Sequence, residues 1–410
     1  MVNSAAPAQF LTLPGPILDV RSPGEYADGH IPGAESFPLF TNDERAEVGT
    51  CYKHQGRDAA VELGLALVGP KMADFVRRAK ALAGADKQVR VHCWRGGMRS
   101  GSMAWLLQTA GLQVTTLPGG YKAFRRWVRE TVAEPRPIIV LGGMTGTAKT
   151  DILHALRDRG EPVLDLEGLA NHRGSSYGAL LLPPQPRTEH FENLIAMQWR
   201  QFPTDRPVWI EAESRQVGRC RLPDELMNQM EAAPTLEVTR PVSERCDLLV
   251  KIYGEADTES LVAATERVRR RLGGERTQAA VQFIRDGNLR AAVEILLMYY
   301  DKAYRYDLER RQKVIPTIDI SGFSPEGAAA ALLEKVQSWQ WHPGGKKFPT
   351  VPLSETPGSD IAASQLLASQ SLVTGDVTVS EKSASEDKTS ADQGSADRTS
   401  QETDLTLPVS

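Results

Sequence analysis

The chain has 410 residues, 41% of them hydrophobic and 24% charged, enough for two or three domains with their own cores. It contains no run of 18 or more apolar residues, which excludes a membrane-spanning helix, and its opening MVNSAAPAQFLTLPG lacks the basic and apolar regions of a signal peptide, so none is expected. The net charge of −4 is uneven: residues 351–410 hold 10 Asp+Glu and 3 Lys+Arg (net −7), which leaves +3 on residues 1–350, a body that tolerates a nucleic-acid partner without demanding one.

Residues 1–134 read as alternating strands and helices. PILDV, VRVHC and VTTLP have the look of short buried strands. VELGLALV, ADFVRRAKALAG, SGSMAWLLQTAG and YKAFRRWVRE carry helical spacing. That alternation predicts a parallel sheet. After the linker AEPRP, a second βα unit occupies 135–257, beginning with the strand PIIVLGG and the helix AKTDILHALRDRG and continuing through the strands EPVLDL and PVWIEA. Residues 258–342 turn helical in SLVAATERVRRRLG, ERTQAAVQFIRDG and LRAAVEILLMYYDKAY. The acidic, Ser/Thr-rich stretch 343–410 has too little apolar surface to offset chain entropy and reads as a disordered tail.

Cys51, Cys93, Cys220 and Cys246 form no C-x-x-C pair, which argues against zinc and disulfides and suits a reducing cytoplasm. Cys93 ends a strand and is followed by Trp94, Arg95, Gly96, Gly97, Met98 and Arg99, with a helix expected near Ser100. Inward-pointing amides, a helix N-terminus and two arginines would stabilise a thiolate and a second chalcogen attached to it. A pocket of the Cys-dependent phosphatase type is the near alternative. Upstream lie Asp19, Arg21, Glu25, Tyr26, Gly29, His30, Pro32, Gly33 and Ala34, in a pattern similar to the rhodanese signature. Asp19, Arg21, His30 and Pro32 are read as scaffold; the resemblance implies a persulfide or perselenide on Cys93.

The run from Gly142 to Thr150 approaches the phosphate-binding pattern G-x-x-x-x-G-K-[ST]. Gly143, Lys149 and Thr150 fit, with Thr145, Gly146 and Thr147 between them, but Ala148 replaces a glycine. Alanine is tolerated there if its φ is negative, as expected of a residue entering a helix. Loop amides and Lys149 would hold phosphates, and Thr150 could ligate Mg²⁺. Glu211 and Glu213 stand where an Asp is usual, which weakens an ATPase reading.

Both loops in one chain, with VGTCYKHQGRDAAVELGLALV, LDLEGLANHRGSSYG, IEAESRQVGRCRLP and YYDKAYRY, resemble the tRNA 2-selenouridine synthase family over about residues 15–340. The resemblance implies an α/β protein: a rhodanese-like parallel-sheet domain, a P-loop α/β domain and a helical C-terminal portion. It implies that the wobble 5-substituted 2-thiouridine of tRNA is alkylated on sulfur by geranyl diphosphate, and that selenium from selenophosphate then replaces the S-geranyl group through a Cys93 perselenide. No tightly bound cofactor is expected. A selenophosphate-supplying enzyme is a candidate partner, and no membrane is involved. His172, Arg173, Ser175, Ser176, Glu213 and Arg215 are candidate substrate or tRNA contacts. Arg267, Arg269, Arg270 and Arg271 form a candidate RNA-backbone face. Trp94 and Tyr177 could stack a base. Cys51 could lie near Cys93, and Gly64 is expected to admit a close backbone. The other enzymatic reading is a sulfurtransferase fused to a P-loop kinase or ATPase; a non-enzymatic RNA-binding scaffold is a third.

Overall fold

The computed structural model describes residues 3–311 and 316–338; the expected tail, 343–410, lies outside them. The strands are β1 (Asn3–Ser4), β2 (Ile17–Asp19), β3 (Ala34–Ser36), β4 (Gln88–His92), β5 (Gln113–Thr116), β6 (Ile138–Gly143), β7 (Val163–Leu164), β8 (Val208–Glu211), β9 (Gln216–Val217), β10 (Cys220–Arg221), β11 (Thr235–Thr239) and β12 (Thr317–Asp319). Two five-stranded sheets have the orders β1-β5-β4-β2-β3 and β12-β11-β6-β8-β7, and β9 and β10 form a small hairpin. Every pairing in the two large sheets is parallel. The apolar runs explain this: β6 is buried along its whole length, as a central strand covered on both faces must be.

In the first sheet β2 and β3 lie on one side of β4 and the next strand, β5, on the other; in the second, β7 and β8 lie on one side of β6 and the later β11 and β12 on the other. The C-terminal ends of β4 and β6 therefore open at topological switch points, where α/β sheets bind ligands. Cys93 directly follows β4, and the phosphate loop directly follows β6.

The helix Gly120–Ala133 links the two halves. Its Phe124, Val128 and Val132 are buried in one core with Phe191, Ile195 and Trp199 of the helix Thr188–Trp199. Burying each such side chain stabilises by about 1.5–3 kcal/mol. At its polar edge Arg125 pairs with Glu192 and donates to Asn193 Oδ1 at 2.6 Å.

The helical portion differs from expectation in two places. SLVAATERVRRRLG is not one helix: it breaks at Val268 into Thr258–Arg267 and Arg269–Leu272. The segment is also not purely helical, because β12 joins the phosphate-loop sheet beside β11, and the helix Pro325–Gln337 contributes Ala328, Ala329 and Leu332 to that sheet's core. Among the described residues no helix is long and apolar enough to cross a membrane.

Candidate active site

Cys93 lies on the floor of its loop, 3% exposed, while Arg95, Gly96, Gly97 and Met98 above it are exposed. Its Sγ meets the Ser100 hydroxyl at 3.2 Å, and the rest of the side chain packs in the apolar cluster of Leu18, Val91 and Met103. The following helix starts at Met98 with no side-chain cap, which leaves its first N–H groups turned toward the loop. Arg99 is not aimed at the sulfur. It donates to Glu25 at 2.7 and 3.3 Å, and Glu25 also closes a capping box with Ser22. Of the two expected arginines only Arg95 stays exposed on the rim.

A buried cluster backs the loop. Arg21 grips Asp19 at 2.6 Å, donates to the Gly29 carbonyl at 2.7 Å and lies 3.8 Å from the centre of the Tyr121 ring. Burial opposes the Asp19 charge, but His92 and Arg21 outweigh it and hold the carboxyl below its ordinary value. Asp19 and Arg21 are thus buried and held to each other behind the loop. The sequence reading missed Gly119 and Gly120. Gly120 has φ +57°, and a Cβ there would fall 2.3 Å from the Cys93 carbonyl oxygen and 2.5 Å from the Gly96 nitrogen. Tyr121 N–H donates to that same carbonyl at 2.8 Å. The Gly-Gly dipeptide before an amphipathic helix was the available signal.

At the second loop Lys149 Nζ donates to the Gly143 carbonyl at 2.9 Å, and Thr147 donates to the Met144 carbonyl at 2.8 Å. Ala148 corrects an expectation. Its φ is +65°, because the chain makes a left-handed step immediately before the helix Lys149–Asp158, and alanine occupies a position that suits glycine. Thr150 donates to Glu167 at 3.0 Å, and Glu167 N–H donates to Glu211 at 2.7 Å. Glu211 ends β8 directly beside Leu141 of β6; it is 1% exposed and its Oε2 has no partner. Burial, Asp165 and Glu167 push its carboxyl well above the ordinary range. Burial and Glu167 likewise raise Glu213 to about 8.

The 172–178 loop leans on these acids: a Cβ at Gly174 would lie 2.7 Å from Glu213 and 2.8 Å from Glu167. Arg173, Ser175 and Ser176 in it are already engaged. Ser176 pairs with the Tyr300 hydroxyl at 2.6 Å, Ser175 accepts from Tyr177 N–H, and Arg173 donates to the Leu180 carbonyl. His172 is 8% exposed, with Nδ1 unpartnered. Arg215 is committed to Asp224 and Glu231. Tyr177 is buried and bonds Thr265, so it is not free to stack a base; Trp94 is half-buried against Tyr121. Gly64 meets no backbone: a Cβ there would touch only the Phe40 ring, at 3.5 Å. Cys51 lies half-buried on the helix Asn42–Gln55 as a free thiol.

The helix Leu289–Arg311 braces the phosphate loop from outside. Asp301 holds Arg245 at 2.8 and 2.6 Å, and the buried Arg245 donates to the Thr145 carbonyl at 3.1 Å. Gly143 N–H donates to the Tyr304 hydroxyl at 2.8 Å.

A thiol loop at one switch point and a phosphate loop at the other, within a single compact unit, define a rhodanese-like domain joined to an AAA-type P-loop domain. Residues 8–126 match the rhodanese-like domain family, and residues 136–321 match the tRNA 2-selenouridine synthase AAA domain. The tRNA 2-selenouridine synthase of Marinobacter nauticus is 37% identical to this chain over 332 residues, spanning 72% of this chain and 89% of that protein. That of Bordetella bronchiseptica is 39% identical, with the same two shares covered. The chain belongs to the tRNA 2-selenouridine synthase family, whose members modify tRNA.

Proposed function

We propose that this chain replaces the sulfur of a wobble 5-substituted 2-thiouridine in tRNA by selenium, acting in the cytoplasm in two half-reactions. The observation that carries the reading is the pairing of a cysteine loop after β4 with a phosphate loop after β6 in one compact unit.

In the first half, the thiocarbonyl sulfur attacks C1 of geranyl diphosphate. A C–S bond forms, the C–O bond breaks, and diphosphate leaves. Lys149 and the amides of Thr145, Gly146 and Ala148 are suited to take up the leaving charge, while those of Gly143 and Thr147 are already spent on the Tyr304 hydroxyl and the Met144 carbonyl. Among the described residues no three His, Cys, Asp or Glu side chains form a metal cluster, but Mg²⁺ keeps several waters and needs only one or two protein oxygens beside phosphates. The Thr150 hydroxyl and Glu167 carboxylate, 3.0 Å apart, fit it as hard oxygen donors. When bound, the ion would neutralise charge on the departing diphosphate.

In the second half, the selenium of selenophosphate, held at the Cys93 loop, attacks C2, and thiogeraniol leaves with the electrons of the broken C–S bond; water then cleaves the P–Se bond, phosphate leaves, and C2 keeps the selenium at the selenide level. Alkylation is what makes that sulfur a competent leaving group. The Cys93 loop, with its uncapped helix start and Arg95, supplies the donors an anionic chalcogen needs.

Nucleoside mass spectrometry of tRNA incubated with geranyl diphosphate and selenophosphate tests the whole reading. Lys149→Ala is expected to abolish S-geranylation. Cys93→Ala is expected to abolish selenium incorporation while tRNA binding persists. Wild-type selenouridine formation by Cys93→Ala would remove Cys93 from the chemistry. ATP hydrolysis in the absence of tRNA, with no modified nucleoside, would favour the kinase or ATPase reading.

A further inference from the structure

The arginines that the sequence offers as an RNA face, 267–271, are mostly spent inside the molecule. Arg267 donates to the Ser176 carbonyl, Arg269 pairs with Glu266, and Arg271 reaches the Tyr299 hydroxyl. The same holds for other exposed arginines of the second half: Arg215 and Arg221 pair with Asp224, and Arg290 with Asp247.

The helix Gly120–Ala133 is different. Lys122, Arg126 and Arg129 are exposed, and among the described residues none makes an ion pair or a side-chain hydrogen bond. Their spacing, i, i+4 and i+7, sets them in one row about 10 Å long. Glu130, also exposed, is paired with none of them. The opposite face holds Tyr121, Phe124 and Val128 in the core, so the basic row cannot turn inward. The row begins at the sulfur loop, because Lys122 N–H donates to the Trp94 carbonyl at 2.9 Å. Arg95, exposed and without an ion pair among the described residues, adds a fourth cation on the rim above Cys93.

Glu192, Asp224 and Glu225 line the same recess as Arg129 without pairing with it, and like charges held in line and left unpaired repel one another, so a row of anions beside them would lower that energy. A nucleic-acid backbone presents such a row at helical-turn spacing, and contacts of this kind position a substrate without reading its sequence. We propose that the outer face of this helix, together with Arg95, is the track on which the substrate tRNA lays its sugar–phosphate backbone, leading the target uridine to the Cys93 loop. The inference rests on the reading of tRNA as substrate and adds the surface that holds it.

The test uses the full chain, wild type and Lys122→Ala/Arg126→Ala/Arg129→Ala, in filter binding of substrate tRNA across a salt series. Each lost phosphate contact lowers the slope of log K against log salt by about 0.7–1. The triple variant is therefore expected to lose roughly 2–3 from that slope and to bind tenfold or more weakly at low salt. Arg269→Ala/Arg271→Ala, which alters the internally engaged arginines, should leave the slope unchanged. Arg126→Ala alone, with a slope drop of about 1, serves if the triple variant misfolds by thermal melting. Unchanged affinity and slope in the variants overturn the track alone. Unchanged RNA binding with lost selenium transfer also overturns it and assigns the face to a protein donor of selenium. A wild-type chain without salt-sensitive tRNA binding overturns the proposed function, and the track with it.

Discussion

Ala148 occupies a backbone state that costs a non-glycine residue roughly 1–2 kcal/mol, and glycine returns part of that gain as unfolded-chain entropy. Ala148→Gly is therefore expected to raise stability by about 1 kcal/mol in urea unfolding and to lower the KM for the diphosphate substrate proposed above; a destabilised variant would contradict the left-handed assignment. The sequence shows the missing glycine but not the torsion, since it depends on where the helix begins, and that lies one residue later than expected. Gly120 carries the opposite lesson. The Gly-Gly pair marks a turn before the helix, but nothing beside it in sequence shows that a Cβ at Gly120 would fall 2.3 Å from the carbonyl oxygen of Cys93, 27 positions earlier. Gly120→Ala should cost about 2 kcal/mol or more and should speed alkylation of Cys93 by iodoacetamide, because the loop must move off the sulfur.

The helix Leu289–Arg311 shows how one element serves a distant loop. Tyr300, Asp301 and Tyr304 fall on one face and reach Ser176, Arg245 and Gly143. Asp301→Asn leaves Arg245 as a buried cation without its counter-charge, a change that typically costs about 3–5 kcal/mol. Tyr304→Phe removes one hydrogen bond, about 1 kcal/mol, and is expected to raise the KM for the diphosphate substrate with little change in kcat. Equal losses in kcat and kcat/KM would show that the hydroxyl acts in the transition state instead. The segment YYDKAYRY drew notice in the sequence, but its partners lie 56 to 161 residues away, so its use was not legible. The breaks and additions in the C-terminal portion were hidden for the same reason. Periodicity shows that a segment has an apolar face, and only tertiary pairing decides that 317–319 becomes a strand.

At the level of the whole chain, strand and helix alternation was enough to anticipate two parallel sheets and both loops at strand ends. It could not show that the two halves share a core through Gly120–Ala133, since an amphipathic pattern names a buried face without naming its partner. Where the halves meet, the His190 and His30 rings lie 4.1 Å apart, and His30 stacks on Tyr26. Burial and His30 lower His190 to about 4. In the unfolded chain it binds a proton near pH 6.5, so acid favours unfolding. The stability it contributes is whole above about pH 6.5 and is lost as pH falls toward 4. His190→Gln should flatten the decline of Tm across that window, and an unaltered decline would place the acid sensitivity elsewhere.

The near-complete covering of Cys93 also bears on the life of the enzyme between encounters with RNA. Peroxide and small disulfides attack sulfur they can reach, and at 3% exposure Cys93 presents them little surface. Under the proposed exchange the same burial means that Cys93 must be uncovered before it can react, so the step that admits substrate would also admit oxidants.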